Sequence, residues 1–383
     1  MRIQADWLTA AHSCVVMDAL GGQGFFVGGC VRNTLLNVPV ADIDVATPLE
    51  PDAVQERLQE AGVKTIPTGL QHDTVTAVHQ GVPIEITTFR RDVETDGRHA
   101  QVAFTREIAQ DAARRDFTMN ALYADRDGTI IDPLGGLPDL EARSVRFIGD
   151  AGDRIREDYL RILRFFRFHA WYGADRLDSE GLAACAELAE GIETLARERI
   201  GWEFRKLLSA VDPAPAVAAM SMSGILARCL EGAVATALAP LVHLEQDHGV
   251  KPDWRRRLVA LGGQEPTDAL RLSRAETRSV QALRDATEHE PDSRIAAYRH
   301  GTHAARSAAL IRAASTGMPL SPDLETDLKA GAQAEFPLKP QHLMACGVQP
   351  GPALGEFLRQ AEDRWIASGF SLDKDTLLAD LIN

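Results

Sequence analysis

The sequence predicts an α+β protein, in which a head with a mixed sheet and flanking helices precedes an all-helical remainder. Up to about residue 135, short β-rich runs alternate with helical patterns. After about residue 150, apolar residues recur at three- and four-residue spacing almost to the end, which is typical of amphipathic helices. At the usual ~100–200 residues per domain, the 383 residues allow two or three domains.

Individual elements follow from local pattern. Strands are predicted in FFVGG (25–29), DIDVAT (42–47), DTVTAVH (73–79), VPIEITTF (82–89) and TIIDP (129–133). Helices are predicted in DWLTAAHSCVVMDAL (6–20), PDAVQERLQEAG (51–62) and RRDFTMNALYA (114–124). The clearest later helices are EDYLRILRFFRFHAWYG (157–173), EGLAACAELAEGI (180–192) and ERIGWEFRKLLSAV (198–211). The polar stretch FRRDVETDGRHAQVAFTR (89–106) is expected to be a mobile loop, with a passive connection as the alternative.

Composition limits the class of protein. A net charge of −14 argues against a general nucleic-acid binder, and no DNA partner is expected. No apolar run reaches the ~18 residues of a membrane helix, and the N-terminus has no apolar core of a signal peptide. The five cysteines form no CxxC pair, so we expect reduced thiols in a cytoplasmic protein rather than a disulfide or zinc site.

Three acids suggest a metal site. Asp42 and Asp44 are two apart on a predicted strand, so both carboxylates leave the same face. Glu85 alternates with two isoleucines on another strand, and it could complete a site for two Mg²⁺ ions about 4 Å apart. The alternatives are a solvated strand end for the aspartates and an exposed strand acid for Glu85. Such a metal pair would activate a hydroxyl and stabilise the leaving oxygen in phosphoryl transfer.

A glycine turn precedes these acids. Gly28 and Gly29 lie between a strand and a helical segment, where glycine lets the backbone approach a phosphate. Arg32 would add a planar donor for phosphate oxygens. The glycine pair, Arg32 and the two aspartates within one short segment are the arrangement of a nucleotidyltransferase. A structural turn is the alternative reading of the glycine pair taken alone.

Two further segments supply candidate nucleotide contacts. RRDFTMNALYA contributes Arg115, Asp116 and Asn120, which on a helix could hold ribose and phosphate; a capped helix N-terminus is the alternative.

The second segment, EDYLRILRFFRF, places Asp158 and Arg161 three apart on a predicted helix face, with Arg164 and Arg167 following. An aspartate and an arginine side by side complement the amino group and ring nitrogen of adenine or cytosine and reject uracil and guanine. An intrahelical salt bridge from Glu157 to Arg161 is the competing explanation.

Together these motifs resemble a known family. GGCVRNTLLN…DIDVAT, RRDFTMNALYAD, DPLGGLPDLEARSVRFIGD and EDYLRILRFFRF are similar to the motifs of class II tRNA nucleotidyltransferases, the CCA-adding enzymes and bacterial poly(A) polymerases. The resemblance covers 25–172 closely, continues through ERIGWEFRKLL and returns in GVQPGPALGEFLRQAEDRWIASG. It implies a polymerase-β-like head (1–140), a helical neck with the base template (141–212), and a helical body and tail that bind the tRNA acceptor arm (213–383).

The resemblance also implies roles for single residues. Asp42, Asp44 and Glu85 correspond to the catalytic Mg²⁺ ligands, and Gly29 and Arg32 to triphosphate contacts. Arg115 corresponds to a residue that reaches the nucleotide. Asp158 and Arg161 correspond to the protein template for the base, and Arg164 and Arg167 complete that pocket. Asn33 departs from the aspartate that the family usually has after the arginine. In the family, a loop at 89–106 is implicated in the switch from C to A.

The function that the resemblance implies is addition of C, C and A to the 3′ end of tRNA from CTP and ATP, with release of pyrophosphate. A poly(A) polymerase, or a partial enzyme that adds only CC or only A, is the alternative; the short, non-basic SLDKDTLLADLIN end favours the tRNA enzyme. An inactive RNA-binding homologue is the alternative from another class.

Overall fold

The computed structural model describes residues 1–69, 74–96, 99–174 and 176–382. Asp73, the first residue of the predicted strand DTVTAVH, and residues 97–98 of the polar stretch lie outside the described residues. The described chain divides into two compact units. The first unit is Met1–Ala235 with Gly263–Arg271, and the second is Thr236–Gly262 with Leu272–Asn383.

The strands are β1 (Phe25–Val27), β2 (Asp44–Thr47), β3 (Lys64–Gly69), β4 (Thr74–His79), β5 (Val82–Thr88), β6 (Arg90–Asp96), β7 (His99–Phe104), β8 (Tyr123–Ala124) and β9 (Ile130–Ile131). The first helices are α1 (Asp6–Thr9), α2 (Ala11–Ala19), α3 (Gly29–Leu35), α4 (Pro51–Glu60), α5 (Ile108–Ala113), α6 (Leu137–Glu141), α7 (Ala151–Glu157), α8 (Leu160–Tyr172), α9 (Ser179–Glu187), α10 (Arg197–Leu208), α11 (Ala214–Met222) and α12 (Ile225–Cys229). The remaining helices are α13 (Leu238–Asp247), α14 (Trp254–Leu261), α15 (Pro266–Ala269), α16 (Arg274–His289), α17 (Ser293–Thr316, interrupted at Gly301), α18 (Leu324–Gln333), α19 (Pro340–Ala345), α20 (Pro352–Ala367) and α21 (Lys374–Ile382). Short 3₁₀ turns cover Thr118–Asn120 and Ala189–Thr194.

A seven-stranded mixed sheet forms the head, in the order β3-β4-β5-β2-β1-β8-β9. The β2–β5 pair is parallel, and every other pair in this sheet is antiparallel. The parallel register places Asp44 directly opposite Glu85. Adjacent strands lie about 4.8 Å apart, so these two residues share one face of the sheet. The α+β class with a mixed-sheet head and a helical remainder is confirmed.

Two predicted elements are wrong. The stretch 89–106 is not an irregular loop, because β6 and β7 pair as an antiparallel hairpin. The segment 114–124 is not a helix but a 3₁₀ turn followed by β8. Its backbone bonds to residues 146–148 instead: Thr118 N donates to the Arg146 carbonyl and Ile148 N to the Asp116 carbonyl. A tertiary pairing has replaced the helical hydrogen bonds that the local pattern favoured.

Two corrections affect the predicted site. Asp42 is exposed and precedes β2, which begins at Asp44, so the two aspartates do not share one strand. The predicted helix over 157–173 is interrupted at Asp158, whose backbone is extended (φ −157°) between α7 and α8. The Asp158 carboxylate accepts the backbone N–H of Leu160 at 3.1 Å, so it marks the start of α8.

The core of the first unit lies directly beneath the predicted site. Val27 of β1, Ala46 of β2 and Tyr123 of β8 belong to one buried cluster on the sheet. A second set of aromatic rings fixes α8: Phe117 and Phe147 pack against Phe165, with ring centroids 6.4 and 5.5 Å apart. Because α8 shares this aromatic core with the head, its polar face is held in a fixed orientation.

The second unit is built from helices within its described residues. Its buried clusters include small residues of α17 packed on α18, and an aromatic group around Trp365. Glu245 accepts hydrogen bonds from Arg256 and Arg257, and all three side chains are almost completely buried. No helix among the described residues is long and apolar enough to cross a membrane. The three-part division at 140 and 212 stays a prediction.

Candidate nucleotide-binding and catalytic site

One cavity of about 480 Å³ in the first unit brings together the predicted nucleotide contacts and Asp44. All ten predicted contacts line it: Gly28, Gly29, Arg32, Arg115, Asp116, Asn120, Asp158, Arg161, Arg164 and Arg167. Asp42 and Glu85 do not line the cavity. Asp42 precedes Asp44 by two residues, and Glu85 is paired with Asp44 on the neighbouring strand β5. Residues from four separate segments of the chain therefore meet at one place.

The glycine turn gives the cavity a close backbone wall. Gly28 has a φ of +68°, a conformation that side chains with a Cβ rarely adopt. A Cβ at this position would lie 3.6 Å from both Arg115 Nη1 and the carbonyl oxygen of Asn120. Because 3.6 Å is an ordinary van der Waals distance, it is the positive φ, and not lack of space, that calls for glycine here.

Arg32 is a buried cation, 6% exposed, whose hydrogen-bond partners are uncharged. Its guanidinium donates to the Asn120 and Asn33 side chains and, at 2.8 Å, to the Tyr172 hydroxyl. It also lies 4.0 Å from the centre of the Tyr172 ring. Burial lowers the pKa of Arg32. A buried positive charge with neutral partners creates a strong preference for an anion in the adjoining cavity.

Asn33 reproduces the hydrogen bond that an aspartate could make there. Its side-chain oxygen accepts from Arg32 Nε at 3.1 Å and from Nη2 at 2.8 Å, and its amide nitrogen donates to the Pro39 carbonyl at 2.9 Å. The amide therefore orients Arg32 without neutralising it.

Arg115 is held in place by hydrogen bonds to two side chains, Asp111 and Tyr123. Asp111 accepts from Arg115 Nη2 at 3.0 Å, and the Tyr123 hydroxyl accepts from Arg115 Nε at 3.1 Å. Tyr123 in turn donates to Asp111 at 2.7 Å. Burial raises the pKa of Tyr123, which therefore keeps its proton. The sequence analysis did not identify Asp111 or Tyr123, because neither lies in a motif of its own.

Asp116 connects the head to α8. One carboxylate oxygen accepts from the Asn120 amide at 2.9 Å and from the Phe117 backbone at 2.8 Å. The other oxygen accepts from Arg164, with Nε at 2.7 Å. Burial alone would raise the pKa of Asp116, but the charge of Arg164 and these hydrogen bonds hold it below its ordinary value. Asp116 thus positions Asn120 and Arg164 through a charged, fully bonded carboxylate.

Asp44 differs from Asp116, because its surroundings disfavour the charged carboxylate. The pKa of Asp44 is raised to about 6, mainly by burial. The carboxylates of Glu85 and Asp42 act in the same direction, and the charges of Arg115 and Arg32 oppose them. The carboxylates of Asp44 and Glu85, which are paired in the parallel register, therefore repel one another. Oxygen ligands in this arrangement suit a hard divalent ion such as Mg²⁺. Within the described ranges, no three His, Cys, Asp or Glu side chains converge to metal-binding distance.

The predicted base template meets in the cavity, although both groups have protein partners. Asp158 accepts from Arg199 Nη2 at 2.7 Å. Arg161 pairs with Glu157 and donates to the Arg154 carbonyl at 2.8 Å. The Glu157–Arg161 ion pair that competed with the template reading is therefore present, although it joins α7 to α8 and is not intrahelical. It does not remove Arg161 from the cavity, and it fixes the direction of the guanidinium.

The two later arginines of α8 are anchored by buried carboxylates. Glu203 of α10 is 1% exposed and accepts from Arg167 Nε, while Arg164 Nη1 lies 3.9 Å from the other Glu203 oxygen. Arg167 is itself 9% exposed. Both arginines therefore have fixed positions before any ligand binds.

Six lining residues were not predicted: Arg114, Leu160, Phe168, Arg199, Trp202 and Lys206. The last three lie on α10 at positions i, i+3 and i+7, so they share one face of that helix. The sequence carried a signal for them, a tryptophan with a lysine four residues later in an amphipathic helix, but the pattern did not indicate which element the helix faces.

Family models match two segments of the chain. Residues 24–146 match the model described as the poly A polymerase head domain. Residues 176–235 match the model described as the probable RNA and SrmB-binding site of polymerase A. The first segment contains the glycine turn and all three acids, and the second contains α10.

Known proteins are similar over most of the chain. The mitochondrial CCA tRNA nucleotidyltransferase 1 of Mus musculus is 33% identical over 92% of this chain and 85% of the mouse protein. A CCA-adding enzyme of Lacticaseibacillus paracasei is 28% identical over 98% of this chain and 96% of its own length. Among solved structures, the Bacillus stearothermophilus CCA-adding enzyme in complex with CTP has a TM-score of 0.73 and 28% identity, covering 97% of this chain and 96% of that one. The Thermotoga maritima enzyme complexed with tRNA, 18% identical with a TM-score of 0.68, has the same fold over all of this chain and 99% of that chain.

Proposed function

The chain belongs to the family of tRNA nucleotidyltransferases that contains the CCA-adding enzymes, and from this membership we propose that it adds C, C and A in turn to the 3′ end of tRNA. The substrates are CTP and ATP, and pyrophosphate is the product. The observation that carries the proposal is the single cavity in which the glycine turn, the acidic strand end and the Asp158–Arg161 pair meet.

The triphosphate lies against the glycine turn. Arg32 and Arg115 line this wall, and Gly28 allows the backbone to approach closely. Arg32 is buried, and its hydrogen-bond partners in the protein are neutral. A phosphate oxygen would therefore supply the negative charge that pairs with its guanidinium. The Asn120 side chain and the Tyr172 hydroxyl keep the guanidinium in place. Triphosphate binding thus requires little rearrangement of this wall.

Asp42, Asp44 and Glu85 would hold Mg²⁺. When bound, two such ions lower the pKa of the attacking hydroxyl and stabilise charge on the leaving oxygen. The protein's own contribution is the pairing of β2 with β5, which sets Asp44 beside Glu85 before any ion arrives. The raised pKa of Asp44, which burial and the neighbouring carboxylates cause, supports this assignment, because a bound cation would favour the charged carboxylate.

The base is selected at the start of α8. The Asp158 carboxylate accepts from the amino group of adenine or cytosine, since each carboxylate oxygen has two lone pairs and can keep its protein partner. Arg161 donates to the ring nitrogen from the orientation that Glu157 fixes. Uracil and guanine present a carbonyl beside an N–H, and each unpaired group would then cost about 1–3 kcal/mol. No nucleic-acid template is needed.

The experiment that tests this function uses the full chain with three tRNA substrates, which end before C, after C and after CC. Each is incubated with Mg²⁺ and one labelled nucleotide, and then with CTP and ATP together. Full CCA activity gives two C additions followed by one A, and the reaction stops.

Three other results would replace the proposal. Extension with ATP alone into long tails indicates a poly(A) polymerase. Addition restricted to C or to A indicates a partial enzyme. Binding of tRNA without any incorporation indicates an inactive RNA-binding homologue. Fractionation of cells tests the cytoplasmic location that the cysteine usage favours.

A further inference from the structure

Helix α10 presents an exposed aromatic ring between two cations at the rim of the cavity. Trp202 is 46% exposed, although Lys206 Nζ lies 3.5 Å from the centre of its ring. Arg199 precedes it by one helical turn and is half-exposed. The opposite side of the helix is buried, so the strip formed by Arg199, Trp202 and Lys206 is the solvent-facing side of α10.

The position of this strip is fixed by close packing. Gly201 precedes the tryptophan, and a Cβ at Gly201 would lie 1.9 Å from the Leu270 carbonyl oxygen. No side chain larger than glycine fits there, so the backbone of α10 is pressed against Leu270. Glu203, which follows Trp202, is buried in its contact with Arg167. Trp202 is therefore held outward by packing on both sides of it in sequence.

Both ends of the strip lead to the proposed reaction centre. Arg199 is bound to Asp158, one half of the base template. Lys206, at the other end, lines the same cavity as Asp44. At 1.5 Å rise per residue, the strip spans about 10 Å, enough for one stacked nucleotide with its phosphates.

On the premise of the proposed function, we propose that the Arg199–Trp202–Lys206 strip binds the 3′-terminal nucleotide of the tRNA, with the terminal base stacked on the Trp202 ring. Stacking on an aromatic side chain tolerates any base, because every base has a π face. A growing end needs that tolerance, since it ends first in a tRNA base and then in C. The flanking cations attract the backbone phosphates.

The strip suits the tRNA end rather than the incoming nucleotide because of where it lies. The groups assigned to the triphosphate are buried, as the 6% exposure of Arg32 and the 7% exposure of Asn120 show. Trp202 and its neighbours are open to solvent, where a polymer can reach them. The strip lines the same cavity as Asp44, so a 3′ hydroxyl carried by the stacked nucleotide would lie in the cavity with that acid.

The test separates affinity for tRNA from affinity for nucleotide. With Trp202→Ala, we expect the KM for tRNA ending in CC to rise about ten-fold, while the KM values for CTP and ATP stay within about two-fold of wild type. Trp202→Phe keeps an aromatic face and should retain most of the affinity. Met222→Ala is the control, because this large apolar side chain is 91% exposed on α11 and does not line the cavity.

A binding measurement gives a second readout that does not depend on activity. The chain has five tryptophans, and tRNA ending in CC should quench part of their fluorescence. That part should be lost in Trp202→Phe and kept in Trp7→Phe, because the Trp7 indole donates to the Thr34 hydroxyl and does not line the cavity. If the wild type binds and quenches but adds no nucleotide, the proposed function fails while the subsite stands.

Two outcomes overturn the subsite. One is an unchanged KM for tRNA, with unchanged quenching, in a folded Trp202→Ala protein that still adds nucleotides. The other is a rise in the KM for CTP and ATP instead, which would place the incoming base on the ring. Circular dichroism and the melting temperature establish that the variants fold.

Discussion

On the sheet side of the cavity, Asp44 and Glu85 face one another on neighbouring strands, and Asp42 adds a third negative charge nearby. On the helix side, each arginine has a carboxylate partner: Arg161 has Glu157, Arg164 has Asp116 and Arg167 has Glu203. The neighbouring acids therefore repel one another, whereas the charge of each of these arginines is balanced by its partner.

This difference shows two ways in which a protein can arrange charged groups before a ligand binds. The sheet side stores electrostatic repulsion that a metal ion would relieve, so binding and catalysis are coupled there. On the helix side, the arginines of α8 form ion pairs with protein carboxylates. These pairs fix the direction of the guanidinium N–H donors before a base binds. Removing an acid should therefore abolish the reaction and preserve the fold, while removing a partner of an arginine should affect the fold first.

The largest effect is expected at the acids. Asp42→Ala or Asp44→Ala should lower incorporation of both CTP and ATP by about 1,000-fold or more, which corresponds to about 4 kcal/mol. Both nucleotides depend on one metal site, so both should be affected equally. The measurement is incorporation of labelled nucleotide into tRNA with Mg²⁺. Glu50→Ala, an exposed acid after β2, is the control; near-normal turnover in either aspartate variant would refute the metal assignment.

The second effect concerns Glu203. Glu203→Gln removes the charge that balances Arg167 within a site that is 1% exposed, and we expect the free energy of unfolding to fall by about 3 kcal/mol. Urea unfolding measures this change. Glu193→Gln breaks an exposed pair with Arg228 in the same unit and should change stability by less than about 1 kcal/mol. Equal losses in the two variants would mean that the buried pair has no special role.

The third effect concerns base selection. Asp158→Ala should lower kcat/KM for CTP and ATP by about 10- to 100-fold, as expected for one lost hydrogen bond to a charged group. UTP should be less affected, so the gap between CTP and UTP narrows. Arg161→Ala should act in the same way.

The variant Glu157→Gln separates the template role of Arg161 from its ion pair. It removes the charge that Arg161 pairs with and leaves the guanidinium in place. If Glu157→Gln reproduces the Arg161→Ala profile in full, Arg161 acts only through the pair. Unchanged discrimination in Asp158→Ala would contradict the template itself.

The smallest effect is a pH-dependent gain in stability. The folded-state pKa of Asp44 is about 6, against an ordinary value of 3.8, so the folded protein binds this proton more tightly than the unfolded chain. Its stability contribution is therefore present at low pH and is lost as the pH rises from about 4 to about 6. Without metal at pH 7.5, Asp44→Asn should be about 1–2 kcal/mol more stable than wild type, after allowance for partial exposure.

Unfolding in a chelating buffer at pH 7.5 and pH 4 measures this gain, which should disappear at the lower pH. Addition of Mg²⁺ should stabilise the wild type and not the variant. A gain that is the same at both pH values would mean that burial of Asp44, and not its charge, limits stability.

The local pattern predicted the central part of the head well. Strand alternation located β4 and β5, and therefore Glu85, because a strand with one buried face reveals itself by its period of two. The glycine pair predicted a turn that needs a positive φ, which Gly28 has. The residue types also indicated the chemistry, since the choice of carboxylates, guanidinium groups and glycine depends on the ligand and not on the rest of the fold.

Tertiary structure decided where local preference was weak. The segment 114–124 has a helical pattern, but its backbone pairs with residues 146–148, which only the folded chain brings near. The stretch 89–106 is polar, but its two halves pair as strands, because hydrogen bonds across a hairpin do not depend on an apolar face.

The sequence by itself determined the class of fold and predicted the set of groups that we propose for phosphate, metal and base. It could not determine which partners those groups have, because Asp158–Arg199, Asp116–Arg164 and Arg167–Glu203 join residues about 40 positions apart. For the same reason, Trp202 could be recognised as part of an amphipathic helix but not as the rim of the cavity. Periodicity shows which face of a helix is polar. Only the packing of Gly201 on Leu270 determines that the polar face of α10 lies at the cavity.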